Sequence, residues 1–221
     1  MTPLYNTLTQ LRFGADEMND PASSRKRLYD ILVTQQGYFT TVQAHAAGYD
    51  SALCAYHVHR GDWQREARGI YRLTDYPPTD RPDLVLWSLW SRDRSGRPQG
   101  TYSHATALSV YNLSDVNPSK LHMMVSPTFR RRGLRPGILI IHRGLFIESD
   151  VEQMEGYSVT RPLRTLRDLA DCRMLSDELL LEAAVQAVHR GLVDPTELMS
   201  TPEWAPVISL TAQLRRALKK S

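Results

Sequence analysis

Residues 37–73 decide the fold and read GYFTTVQAHAAGYDSALCAYHVHRGDWQREARGIYRL. Two short helices are predicted here, over Val42–Ala47 and Ala52–Arg60, because a threonine or a serine-containing turn precedes each one and a glycine follows it. The turn between them is tight and contains a glycine. Two short helices joined in this way are typical of a helix-turn-helix.

Elements on both sides of this pair complete the pattern. Upstream, apolar residues recur on one face of a helix predicted over 25–36. Downstream, two β-prone runs, Trp63–Arg65 and Ile70–Leu73, flank a glycine-containing turn and predict a hairpin. Three helices followed by a hairpin predict a winged helix-turn-helix domain over residues 24–76.

The rest of the chain is divided by a proline-rich linker at residues 77–82. Residues 1–23 are polar and are interpreted as an arm or a short leading helix, which Asn19-Asp20-Pro21 would interrupt. Residues 83–221 mix helical and strand patterns, so that the predicted fold class is α+β: an N-terminal winged helix followed by a mixed α/β C-terminal domain. The predicted helices there are 84–91, 103–113, one that starts at Pro162, 177–190, 195–200 and 203–219, and the predicted strands are 121–125, 137–142, 151–154 and 157–159.

Positive charge is concentrated in the middle of the chain. Residues 81–147 carry 10 basic and 3 acidic side chains, whereas residues 1–80 carry 8 and 9, and residues 148–221 carry 9 and 12. A middle third with this excess can hold a negative partner such as nucleic acid.

Composition excludes several other classes of protein. Two cysteines cannot build a disulfide framework or a four-cysteine zinc site. The N-terminus lacks the pattern of a signal peptide, and no apolar run approaches the length of a membrane span. We therefore expect a cytoplasmic protein with no membrane partner.

The third predicted helix has a packing face and a face for DNA. The predicted packing face comprises Leu53, Cys54, His57 and Val58. The opposite face carries small and polar side chains that can enter a major groove, the hairpin arginines can follow the phosphate backbone, and the start of the second helix can offer free N–H groups to a phosphate. The predicted DNA-binding residues are Thr41, Gln43, Ser51, Ala52, Ala55, Tyr56, His59, Arg60, Arg65, Arg68 and Arg72.

A second basic feature lies in the predicted C-terminal domain, between two strands. The run RRRGLRPG at residues 130–137 contains four arginines. Charges so close repel one another unless a negative group visits them, which favours a contact with DNA or with a partner over a solvated connection. The candidate residues are Arg130, Arg131, Arg132 and Arg135.

Five stretches, in order, resemble the AbiEi-type abortive-infection antitoxins. Residues 37–48, 58–63 and 68–73 are similar to the winged helix of that family. Ser103-His-Ala-Thr-Ala-Leu108 resembles its Ser/Thr-His-x-x-Ala helix start, and residues 159–169 resemble its Val-Thr-x-x-x-Arg-Thr-hydrophobic-x-Asp-Leu stretch. The resemblance covers roughly residues 24–200.

This resemblance implies two activities. The winged helix is implied to repress transcription from the chain's own promoter, on double-stranded DNA with inverted repeats. The C-terminal domain is implied to act as a type IV antitoxin against a nucleotidyltransferase-like toxin, with which it need not form a stable complex. Tyr56 and His59 stand where the family often has arginine, and His57 stands at a position that is usually aliphatic.

The sequence predicts no enzyme activity, no metal and no cofactor. It lacks Gly-x-Ser-x-Gly, a Walker-type loop, His-Glu-x-x-His and Cys-x-x-Cys. His104 at a helix start is interpreted as a packing residue rather than a base. Two alternatives stay open: a winged-helix module that silences a partner by direct binding, and a nucleic-acid-processing enzyme, which the missing motifs disfavour.

Overall fold

A computed structural model describes residues 20–115, 118–131 and 135–200. They belong to two compact units, one formed by residues up to Pro98 with Glu155–Tyr157, and one formed by Gln99–Met154 with the residues from Ser158 onward. The predicted helix over 203–219 and most of the predicted N-terminal arm lie outside the described residues.

Helix α1 (Pro21–Thr34) begins earlier than its apolar pattern predicts. The Asp20 side chain caps it by accepting a hydrogen bond from the Ser23 N–H at 3.0 Å. Pro21 suits this start, because a proline at the first helical position loses no hydrogen bond and already has a helical φ. The leading helix that Asn19-Asp20-Pro21 is predicted to interrupt lies outside the described residues.

Helices α2 (Thr41–Ala46) and α3 (Ser51–Arg60) confirm the predicted pair. Thr40 and Gln43 form a capping box at the start of α2. The Asp50 carboxylate caps α3 by accepting from the Leu53 N–H at 2.7 Å. Gly61 then ends α3 with a left-handed φ of 84°, a conformation that suits glycine.

Strands β1 (Tyr38–Thr40), β2 (Trp63–Ala67) and β3 (Ile70–Leu73) form an antiparallel sheet in the order β1-β3-β2. Phe39, Trp63 and Tyr71 share one face of this sheet and meet the helices in a buried aromatic core. Three helices, a strand and a hairpin in this arrangement are a winged helix-turn-helix.

Helix α4 (Pro82–Trp90) packs against the other face of the same sheet. Val85 and Leu89 are buried there with Tyr38 and Ile70. The first unit therefore extends to Pro98, beyond the linker that the sequence predicts at 77–82. The difference arises because α4 is apolar on most sides, and the winged-helix sheet offers a second apolar face to cover it.

The second unit is built on a mixed five-stranded sheet. Its strands are β4 (Thr101–Tyr102), β5 (Leu121–Val125), β6 (Leu139–Arg143), β7 (Val151–Gln153) and β8 (Ser158–Thr160), in the order β6-β5-β4-β8-β7. The pairs β4–β5 and β7–β8 are antiparallel, and the pairs β4–β8 and β5–β6 are parallel. Its helices are α5 (His104–Tyr111), α6 (Pro162–Cys172), α7 (Asp177–His189) and α8 (Pro195–Met199), with a 3₁₀ turn at Glu148–Asp150. The α+β class that the sequence predicts is confirmed.

Every helix in the described ranges is too short or too polar to cross a bilayer. In the same ranges no group of three or more His, Cys, Asp or Glu side chains is arranged to hold a metal ion.

Candidate nucleic-acid interface

The outward face of α3 is available to a ligand in this unit. The residues predicted to contact DNA from this helix are all exposed: Ser51, Ala52, Ala55, Tyr56, His59 and Arg60. Inward, Cys54 is buried and His57 and Val58 are half-buried. Leu53 was wrongly predicted to pack, since it is 40% exposed. A helix of ten residues that packs through one stripe at i, i+3 and i+4 leaves the neighbouring position at its edge.

His57 contacts both the buried aromatic core and a carboxylate at the surface. Its ring stacks on Trp63 with centroids 4.7 Å apart, and its Nδ1 donates to the Asp62 carboxylate at 2.8 Å. An imidazole therefore fills the usually aliphatic position by covering the indole, while its polar edge finds a partner outside the core. Sequence reasoning missed Asp62, because the only local signal was an acidic residue after the glycine that ends α3.

Arg60 lies at the last turn of α3, with its side chain 60% exposed. Its Nε donates to Asp62, whose carboxylate oxygens lie 2.9 Å and 3.1 Å away. Its Nη1 donates to the Tyr56 hydroxyl at 3.2 Å. The guanidinium is thus placed on the predicted DNA face but is already bound to two groups of the protein.

The structure separates the hairpin arginines that the sequence groups together. Arg65 and Arg68 are exposed. Arg65 pairs with Tyr71 across the hairpin and is two residues from Trp63, so that it lies on the sheet face that also carries the aromatic core. Arg72 lies on the other face, over the Tyr38 ring at 5.6 Å, and donates to the Pro77 carbonyl at 3.5 Å. Arg72 therefore does not join the others, because strand alternation turns its side chain toward the α4 side.

The start of α2 does not offer the free N–H groups that the sequence analysis predicts at Thr41 and Gln43. The Thr41 N–H donates to the Gly69 carbonyl at 3.2 Å, and the Gln43 N–H donates to the Thr40 hydroxyl at 3.2 Å. The Gln43 side chain in turn accepts from the Thr40 N–H at 2.8 Å. That part of the prediction was wrong, because the capping box and the hairpin turn use these groups.

The hairpin turn is held in place by two elements. Besides the bond from Thr41, the Gly69 carbonyl accepts from Nη2 of Arg92 at 3.1 Å. Arg92 follows α4 and also donates from Nη1 to the Leu89 carbonyl at 2.7 Å. The turn that presents Arg68 is therefore fixed to both α2 and the end of α4.

The arginine cluster of the second unit is partly satisfied by backbone. Arg130 donates to the Pro127 and Phe129 carbonyls at 3.4 Å and 3.1 Å. Arg131 is half-buried, and burial lowers the pKa of its guanidinium. Arg135 is exposed, and Arg132 lies outside the described residues. Arg130 and Arg135 are thus the exposed members of this cluster among the described residues.

Three histidines of the second unit form a stack that the sequence does not predict. The rings of His104 and His142 are 3.8 Å apart, and His122 Nδ1 lies 3.0 Å from His142 Nε2. Burial and the neighbouring imidazoles lower the pKa of His104 to about 3 and that of His122 to about 4, and burial also lowers the pKa of His142. Arg164, which lies close by, adds to the effect on His104. The stack is therefore neutral at pH 7.

This stack should make the second unit less stable in mild acid. Because these pKa values lie below the unfolded value near 6.5, the unfolded chain takes up protons first as the pH falls. We expect the free energy of unfolding to fall below pH 6.5, by at most about 1.4 kcal/mol per pH unit for each histidine that stays neutral. Denaturant titrations from about pH 7 to about pH 5 measure this slope.

His104→Asn should flatten that pH dependence, since asparagine tolerates the left-handed φ of 52° at this position and does not titrate. His189→Asn, at an exposed histidine of α7, is the control and should leave the slope unchanged. Equal slopes for His104→Asn and the parent chain would contradict the assignment of the pH dependence to the stack.

The first unit is a winged helix-turn-helix with an outward third helix and a braced hairpin, the architecture of a nucleic-acid-binding regulator. Residues 26–74 match the model of the family described as "Transcriptional regulator, AbiEi antitoxin". The resemblance to AbiEi-type antitoxins is therefore confirmed, and the matched residues are those of the winged helix. The match covers 49 of the 221 residues, so that the similarity to the antitoxin regulators is that of this segment.

Solved structures and curated proteins provide two further comparisons. A solved structure titled "Crystal structure of RV2827C protein from Mycobacterium tuberculosis" is 13% identical to this chain, with a TM-score of 0.44, and the match covers 80% of each chain. No curated protein matches the chain.

Proposed function

We propose that this protein is an autorepressor and a type IV antitoxin. Its winged helix binds double-stranded DNA at its own promoter, on inverted repeats. Its C-terminal unit counters a nucleotidyltransferase-like toxin without requiring a stable complex. The observation that carries the proposal is the match of residues 26–74 to the AbiEi antitoxin regulators, over the same segment that presents an exposed α3.

The geometry supports a specific division of labour on the DNA. Small residues such as Ala52 and Ala55 let α3 approach base edges, while Tyr56 and His59 supply polar contacts. Arg60, Arg65 and Arg68 contribute the positive charge that binds phosphate. Ser51 lies at the N-terminal turn of α3, on the helix that we propose enters the major groove of the DNA. Thr41 and Gln43 contribute by fixing the start of α2, because their N–H groups are bound within the protein, and Arg72 lies on the sheet face opposite Arg65.

The test is binding to duplex DNA from the region upstream of the chain's own reading frame. Arg68→Ala should weaken binding to this DNA roughly tenfold and reduce the log–log salt slope by about 1, since it removes one phosphate contact. Arg94→Ala is the matched control, because it removes the same charge from an exposed position outside the winged-helix elements. A parent chain with no preference for the upstream DNA over random duplex would contradict the repressor half.

The antitoxin half needs a separate assay. Co-expression of this chain with a nucleotidyltransferase-like toxin encoded next to it should restore the growth of cells that the toxin alone inhibits. The two proteins should not co-purify as a stable complex. A stable complex that forms without DNA would favour the alternative of a winged-helix module that silences its partner by direct binding.

The arginine cluster of the second unit belongs to the same proposal. Arg135 is exposed, and Arg130 and Arg131 lie beside it in sequence, as does Arg132. We assign this cluster a contact with flanking operator DNA or with the toxin. Arg135→Ala tested in both assays distinguishes these roles, because only one of the two readouts should change.

A further inference from the structure

Asp62 occupies a junction between α3 and the hairpin. It directly follows Gly61, and its N–H donates to the His57 carbonyl at 3.0 Å in the helix C-cap. Its own carbonyl accepts from the Thr74 N–H at 3.0 Å, at the far end of the hairpin. The backbone at Asp62 is therefore fixed by both elements, and its side chain turns back over the last turn of α3.

The carboxylate of Asp62 is held in place by a partner that cannot move freely. His57 donates to it at 2.8 Å, and the His57 ring is stacked on the buried Trp63. The hydrogen bond from His57 holds the pKa of Asp62 below its usual value, so that the carboxylate is charged at neutral pH. An anion thus stands at a fixed point on the surface that we propose binds DNA.

Arg60 is the group that this anion binds. It is the one lysine or arginine in the segments that form α2 and α3. Its Nε donates to Asp62, its Nη1 donates to Tyr56, and its Cζ lies 5.7 Å from the Tyr56 ring centroid. The Asp62 carboxylate oxygens therefore take the place on the guanidinium that phosphate oxygens would otherwise take.

We propose that Asp62 is a specificity-determining residue of this interface, which restrains Arg60 until a matching duplex displaces the carboxylate. The inference rests on the proposed DNA-binding function and deepens it. A random duplex offers only phosphate attraction, which has to compete with an anion already bound to Arg60. A matching site adds contacts along α3, which offset the loss of the ion pair.

An exposed ion pair suits this role because it is weak. Pairs of this kind contribute little to stability, so that a ligand can replace them at small cost. A deeply buried pair would instead keep Arg60 away from every duplex. The competing carboxylate thus disfavours wrong sites, which is the logic of discrimination by an unfavourable contact.

Asp62→Asn tests this inference, because it keeps the size and the acceptor oxygen and removes the charge. We expect affinity for random duplex to rise about three- to tenfold at low salt and the log–log salt slope to steepen by about 1, as one more phosphate contact forms. Affinity for the chain's own upstream DNA should rise less, so that the ratio of specific to random binding falls. Asp80→Asn, at an exposed carboxylate outside the winged-helix elements, makes the same change in net charge and should leave that ratio unchanged.

A double substitution separates restraint of Arg60 from a general electrostatic effect. If Asp62 acts through Arg60, Asp62→Asn should have no effect on random binding in an Arg60→Ala background. The same increase in both backgrounds would overturn the inference, as would unchanged random binding by Asp62→Asn in a folded parent that binds DNA. A parent chain that binds no duplex at all would overturn both the proposed function and this inference, whereas the former outcomes overturn the inference alone.

Discussion

Replacing Phe39 with alanine should lower the free energy of unfolding of the winged helix by about 4 kcal/mol, the cost of emptying a large aromatic site in a core. Phe39 has no exposed surface. Its ring meets Trp63 edge-on at 4.7 Å and stacks with Tyr71 at 5.7 Å. All three rings share one face of the sheet, so that removal of the Phe39 ring leaves a cavity between its two neighbours.

Urea denaturation followed by circular dichroism measures this loss, and DNA binding near the new midpoint should disappear with the fold. Tyr29→Ala is the control, because Tyr29 is 61% exposed and its loss should cost under about 0.5 kcal/mol. A loss of less than about 1 kcal/mol for Phe39→Ala would contradict the view that this aromatic cluster is the core of the domain.

Replacing Arg164 with alanine should destabilise the second unit by about 3 kcal/mol, since it leaves two largely buried carboxylates without their cation. Arg164 is 18% exposed and donates to Asp150 at 2.6 Å and to Asp168 at 2.8 Å. Its Nη2 also donates to the Leu145 carbonyl at 2.9 Å. One guanidinium thus ties α6 to the loop before β7 through both Asp150 and Leu145.

Thermal and denaturant unfolding of the variant measure this effect. Arg161→Ala is the control, because Arg161 is exposed and its side chain makes no capping bond at the start of α6. In a double-mutant cycle, Asp150→Asn should cost much less in the Arg164→Ala background than in the parent chain. Additive losses would contradict the coupling of the two side chains.

Much of the local structure could be predicted because its causes lie within a few residues. Glycines at 48 and 61 follow the ends of helices, and the β-prone run Ile70–Leu73 indicates a strand. The exposed face of α3 follows from helical periodicity alone, apart from Leu53 at the edge of the stripe. The earlier start of α1 also has a local cause, since Asp20 caps the helix and Pro21 suits its first position.

The candidate site depended more on distant partners. Arg65 and Arg72 look equivalent in the sequence, but they lie on opposite faces of the sheet, where Arg72 meets the Tyr38 ring and the Pro77 carbonyl. The free N–H groups expected at the start of α2 are taken by the capping box and by the turn at Gly69. Neither outcome could be read from spacing, because each depends on which surfaces meet in three dimensions.

By itself the sequence determined the α+β class, the order of the winged-helix elements and the resemblance to the antitoxin regulators, since caps, glycines and apolar periodicity act over one or two turns. Only the tertiary structure decided that α4 belongs to the first unit, that His104, His122 and His142 stack, and that Asp62 holds Arg60. The first two features join residues brought together by helix packing and strand pairing, whereas the pair of Asp62 with Arg60 depends on the backbone turn at Gly61. None of these contacts leaves a periodic trace in the chain.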